Sequence, residues 1–175
     1  MRKQLLIKFE KVSLDQWRAD ASMPYFNKDW FELDDEQKKE IDQAYENIKL
    51  PTRSSMHSAG YDFFLPRNVD FNIGYRTIPT GIRWVCDLQA ALLLMPRSGL
   101  GFKYGTYLAN TIGVIDADYS LSDNEGHIMA KMNSEQYFSL EAGKAFMQGI
   151  MVPFFTTVDD DVQAKRNGGF GSSGV

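Results

Sequence analysis

The stretch LANTIGVIDADY, Leu108–Tyr119, ends a β-branched apolar run on one carboxylate, Asp116, and sets an aromatic, Tyr119, three residues later. Val114 and Ile115 predict a strand leading into Asp116. Asp-Ala-Asp-Tyr then reads as the end of that strand, where the chain turns. A carboxylate held at a strand end is a rigid acceptor, suited to orienting a water molecule. The same residues also suit a plain turn, with Asp116 and Asp118 as caps, and on this stretch alone both readings stand.

Short apolar runs of the same kind recur on both sides. Strands are predicted over 5–9, 61–65, 73–78, 82–87, 91–95, 106–108, 112–115, 127–132, 136–140 and 146–155, with Gly, Pro, Asn or Asp between most of them. Many short strands at this spacing predict a sandwich or a jelly roll. One segment breaks the pattern. From Asp34 to Ile48, Ile41, Ala44, Tyr45 and Ile48 fall on one helical face, with Lys and Glu on the other. Asp34 or Asp35 can cap this helix and Pro51 stops it. It either packs on its own domain or offers a contact to a protein partner. Residues 13–33 carry Trp17, Tyr25, Phe26, Trp30 and Phe31, too aromatic for a free linker, and are expected to pack on the rest.

A chain of 175 residues can bury a core. The net charge of −4 gives no basic surface for nucleic acid. One cysteine, Cys86, excludes an internal disulfide framework; its apolar neighbours predict an inert core thiol in a reducing compartment. No apolar run approaches a membrane span and no signal-like segment opens the chain, so a cytoplasmic protein is expected.

Five segments then follow in order: Ser58–Asp62 (SAGYD), Pro96–Gly101 (PRSGLG), the Asp116 stretch, Gly143–Gln148 (GKAFMQ) and Arg166–Gly174 (RNGGFGSSG). Glycines beside Arg97 and Ser98 suit an anion, since backbone N–H groups can approach closely. A Gly/Ser tail holding Phe170 and Arg166 can wrap phosphates and cover a ring. Together the five resemble the motifs of the trimeric dUTP diphosphatases (dUTPases) over residues 50–175. The Asn124–His127 run resembles a bacterial and phage variant of that family. His127 itself reads as structural.

The resemblance implies an all-β, distorted jelly roll (a dUTPase-like β-clip) with one inserted helix near the N-terminus. It implies one domain over 1–155, a helical insertion over 34–49, and a flexible arm over 156–175 carrying the fifth motif. It implies a homotrimer whose sites are shared between subunits, with the arm crossing to a neighbour, and hydrolysis of dUTP to dUMP and pyrophosphate with Mg²⁺. By the same resemblance Asp116 activates the water. Arg97, Ser98, Gly99 and Gln148 hold phosphates, and Ser98 lies near the leaving oxygen. Asn110, Gly113 and Ile115 belong to the uracil-reading strand pair, and Tyr119 packs on the deoxyribose at C2′. Arg166, or Lys165 in its place, meets the γ-phosphate; Phe170 covers uracil; Gly171, Ser172 and Ser173 wrap the triphosphate. Asp62 touches the magnesium ion only through water. Lys144 and Ala145 stand where relatives carry an acid and an Arg. Two other functions remain in view: a related dCTP deaminase or bifunctional enzyme, and a regulatory, partner-binding relative.

Overall fold

The computed structural model describes residues 6–163. In chain order its elements are β1 (Ile7–Lys11), α1 (Leu14–Phe26), a single 3₁₀ turn (Trp30–Glu32), α2 (Asp35–Glu46), β2 (Thr52–Arg53) and β3 (Tyr61–Phe64). Then come β4 (Val69–Phe71), β5 (Gly74–Pro79), β6 (Ile82–Cys86), β7 (Ala90–Pro96), α3 (Ser98–Tyr104) and β8 (Tyr107–Leu108). The last are β9 (Gly113–Asp116), a 3₁₀ turn (Tyr119–Leu121), β10 (Met129–Ser134), β11 (Phe138–Leu140) and β12 (Ala145–Pro153). The largest sheet runs β2-β3-β12-β7-β9; smaller sheets are β5-β10-β8, β1-β6 and β11-β4. This is the distorted jelly roll expected from the sequence. The core sits between these sheets, where Phe63, Leu92 and Phe146 are shielded from solvent. A bulge between Ala145 and Met147 shifts the β12 register, which is why Phe146 and Met147 are both buried although adjacent.

The helical region near the N-terminus is larger than the single helix predicted. α2 begins as expected: the Gln37 backbone N–H donates to the Asp34 side chain at 2.8 Å, and the Gln37 side chain returns the contact to the Asp34 N–H. Its predicted apolar face, Ile41, Ala44 and Ile48, is buried in the chain's own core, not offered to a partner. Burying each of the two isoleucines stabilises the fold by about 1.5–3 kcal/mol. α1 was not expected as a helix. Pro24 lies inside it and its apolar residues form no single stripe; only Trp17, Ala21 and Ser22 are buried. The available signal was its start. Ser13-Leu-Asp-Gln16 is a capping pattern, and the Gln16 N–H donates to Ser13 Oγ at 3.1 Å. The Trp17 indole N–H donates to the Ile41 carbonyl at 2.9 Å, and Arg18 grips Asp42 with two nitrogens at 2.6 and 2.8 Å.

β1 is held to β6 by a charged cluster. Arg83 donates to Glu10 from two nitrogens at 2.7 and 3.0 Å, and Lys8 also reaches Glu10. Lys8, then Arg83, hold the Glu10 carboxyl below the usual glutamate range. A carboxyl lowered on folding stabilises the native state above its unfolded pKa, and that contribution disappears as pH falls through the folded value. Glu10→Gln is therefore expected to lower the urea midpoint at neutral pH and to match wild type in acid, below the ordinary glutamate range. A deficit equal at both pH values contradicts this.

Candidate functional site

A cavity of about 190 Å³ opens between β9 and β10, lined by Asn110, Gly113, Val114, Ile115 and Tyr119, with Leu94 and Met147 behind them. Ligand pockets for drug-sized molecules run to about 300–1,000 Å³, so this one suits a single ring, not a whole nucleotide. A tight turn forms its mouth. The Thr111 N–H donates to the Leu108 carbonyl at 2.9 Å and the Ile112 N–H to the Asn110 carbonyl at 2.6 Å. Thr111 has φ +65°, a left-handed conformation that a β-branched residue adopts at a cost of about 1–3 kcal/mol. Strain of that kind concentrates at binding sites, and no pattern in the sequence announces it.

Tyr119 is 4% exposed. Its hydroxyl donates to the His127 carbonyl at 3.2 Å and accepts from the Asn124 side-chain amide at 2.9 Å. The Ser122 hydroxyl donates to the Tyr119 carbonyl. The ring is therefore fixed at both ends. Asp116 is the last residue of β9, half-buried and opposite Ala91 in the register. The two-residue period of a strand sets it on the same face as the exposed Val114; Asp116 follows the lining residues Gly113, Val114 and Ile115 and is not itself part of the cavity wall. Ser122 and Thr111 were not singled out from the sequence, and Asn124 only as the start of the Asn124–His127 run.

Asp62, Arg97 and Gln148 gather elsewhere. In the register Gln148 on β12 lies opposite Asp62 on β3 and opposite Met95 on β7. Arg97 Nε is 3.4 Å from Asp62 Oδ1. Gln148 lies over Gly60, where any Cβ would sit 2.7 Å from its side-chain oxygen. Ser98 and Gly99 are exposed beside Arg97 at the start of α3, a short helix that was not predicted. Gly105 (φ +61°) ends that helix with its N–H on the Gly101 carbonyl at 3.0 Å.

The first, second and fourth segments thus meet on one face, and the third stands apart. Asp116 lies opposite Ala91 near one end of β7, and Arg97 follows Pro96 at the other. Strand rise of about 3.3 Å per residue puts roughly 20 Å between them in one chain. No group of three or more His, Cys, Asp or Glu able to hold a metal occurs among the described residues. Arg166, Phe170, Gly171, Ser172 and Ser173, with Lys165, lie outside the described residues.

The family model for dUTPase matches residues 46–174. The chain belongs to the dUTPase family. The deoxyuridine 5′-triphosphate nucleotidohydrolase of Lactococcus lactis is 38% identical over 144 residues, 78% of this chain and 96% of its own length. The crystal structure of the dUTPase from Streptococcus mutans superposes with a TM-score of 0.57 at 38% identity, covering 64% of this chain and 90% of that one. A mutant dUTPase from phage phi11 of S. aureus, described with a structural Mg(II) ion, shares the fold at 20% identity and a TM-score of 0.56, over 68% of this chain and 92% of its own. The dUTPase family match begins after β1, α1 and nearly all of α2. No helix among the described residues is long and apolar enough to cross a membrane.

Proposed function

We propose that this member of the dUTPase family converts dUTP to dUMP and pyrophosphate at sites shared between the subunits of a homotrimer in the cytoplasm. The distance between Asp116 and Arg97 carries the reading. A triphosphate whose α-phosphorus is attacked by water on Asp116 cannot also rest on the Arg97 of the same chain, roughly 20 Å away. A neighbouring subunit brings its Arg97, Ser98, Gly99 and Gln148 to the end of β9 that carries Asp116, beside the cavity, and the arm after residue 155 closes over both. Heterologous contacts of this kind close into a ring.

Uracil enters the ring-sized cavity. Asn110 and the backbone of Gly113 and Ile115 read its edge. Cytosine presents a donor where uracil presents an acceptor and leaves buried groups unpaired. Tyr119 lies against C2′ of the sugar, where a ribose hydroxyl collides with the ring. Asp116 orients a water in line with the α-phosphorus and takes up its proton as the new P–O bond forms. The bond to the α–β bridging oxygen breaks, and pyrophosphate leaves against Arg97 and the Ser98 hydroxyl. Positioning and charge neutralisation account for most of such a step. In the arm, Arg166 (or Lys165) reaches the γ-phosphate, Phe170 covers the base, and Gly171, Ser172 and Ser173 wrap the phosphates.

The residues present fit magnesium held largely by the substrate. Mg²⁺ keeps several waters and binds through phosphates and one or two carboxylates. Asp62, the carboxylate beside Arg97, suits contact through water. When bound, the ion neutralises charge on the phosphate oxygens. Pyrophosphate release from dUTP, dCTP, dTTP and UTP tests the whole reading. Only dUTP is expected to turn over. UTP hydrolysed as fast as dUTP defeats the role of Tyr119, and ammonia released from dCTP makes the chain a deaminase instead.

A further inference from the structure

Two contacts join α1 to the loop behind Tyr119. At the start of α1 the Ser13 backbone N–H and hydroxyl both donate to the Glu125 carboxylate, at 2.8 and 2.5 Å. Two turns on, along the same helix face, Asp20 meets His127 Nδ1 at 2.6 Å. His127 Nε2 accepts the Gly81 N–H at 2.8 Å, so the proton lies on Nδ1 and is donated to Asp20. His127 is fully buried, and its own carbonyl receives the Tyr119 hydroxyl.

Between the two contacts stands Gly126, with φ +72°. A Cβ there would lie 2.5 Å from the Ser120 Cα and 2.7 Å from the Tyr119 carbonyl oxygen. The loop therefore packs closely against the backbone of Tyr119 and Ser120, and α1 grips it on either side of that close approach. α1 lies outside the family match, so this support is an addition to the shared fold.

We infer that α1 buttresses the Tyr119 ring, and that Ser13, Asp20, Glu125 and His127 are positioning residues for rejection of ribonucleotides. A steric gate is only as selective as its backing is stiff, and displacements of about 1 Å in a supporting group change catalytic discrimination strongly. The inference rests on the assignment of Tyr119 to the sugar. The test is the ratio of kcat/KM for dUTP to that for UTP in the full-length enzyme, with melting curves alongside. Glu125→Ala and Asp20→Ala are expected to lower the ratio about tenfold, the scale of one hydrogen bond to a charged group, mainly by raising turnover of UTP. Glu125→Gln and Asp20→Asn keep an acceptor oxygen in place and are expected to restore the wild-type ratio. Ser139→Ala, which breaks an exposed bond to Asp70 elsewhere, is expected to leave it unchanged. Glu125 is half-buried and its bonds to Ser13 lie at the surface, so its variants test the idea even if Asp20→Ala fails to fold. A ratio within twofold of wild type in Glu125→Ala overturns the inference, whatever the melting curve does. Tyr119→Ala separates the two levels: if it too leaves the ratio unchanged, the sugar assignment falls and the buttress with it. If it collapses the ratio while Glu125→Ala does not, only the buttress falls.

Discussion

Asp116→Asn is expected to lower kcat for dUTP by about 10²–10⁴-fold, the range for loss of a positioned acid–base group. The substitution keeps the shape of the side chain and its place at the end of β9, opposite Ala91. It removes the negative charge that draws the water's proton. The groups proposed to hold base, sugar and phosphates are untouched, so KM should stay within a few-fold, and the loss should appear in kcat. Asp116 is half-buried on an edge strand, and the melting temperature should barely move. Steady-state pyrophosphate release at saturating dUTP reads the effect. Activity within tenfold of wild type would remove Asp116 from the chemistry.

How much of this could be read from the residues varied with the physics of each element. Strands such as β6, β7 and β9 were legible because alternating or continuous apolar runs end at turn residues. β2 and β4, of two and three residues, are too short to show a period. α2 was legible through its cap and its stripe. α1 was hidden because tertiary packing on Ile41 and the Arg18–Asp42 pair hold it, with few apolar residues on its own face. α3 was hidden by Gly99 and Gly101, poor helix formers overridden by their context.

The site divided along similar lines. Asn110, Gly113, Ile115 and Tyr119 are close in sequence, share one hairpin and its flank, and end up around one cavity. Asp62, Arg97 and Gln148 are far apart in sequence, and only the strand order β3-β12-β7 brings them together. The resemblance to the dUTPases supplied their grouping before any coordinates did. His127 read correctly as structural, but its partner Asp20 is 107 residues away and had no signal. Nor did Glu125, whose contact to Ser13 spans 112 residues.

Arg97→Ala is expected to lower kcat/KM for dUTP by about 10²–10³-fold, as for removal of a donor facing transition-state charge. The shared-site proposal makes a stronger demand on the same variant. Arg97→Ala and Asp116→Asn each disable the site, but through subunits on opposite sides of it. Co-expressed in equal amounts under two affinity tags, with doubly tagged assemblies isolated, they should yield mixed trimers in which a subunit with intact Asp116 meets a neighbour with intact Arg97. Every mixed trimer then holds one complete site in three, so the isolated assemblies should hydrolyse dUTP at about a third of the wild-type rate, far above either parent. Mixed trimers no more active than the parents would show that Asp116 and Arg97 do not serve one site across a subunit boundary.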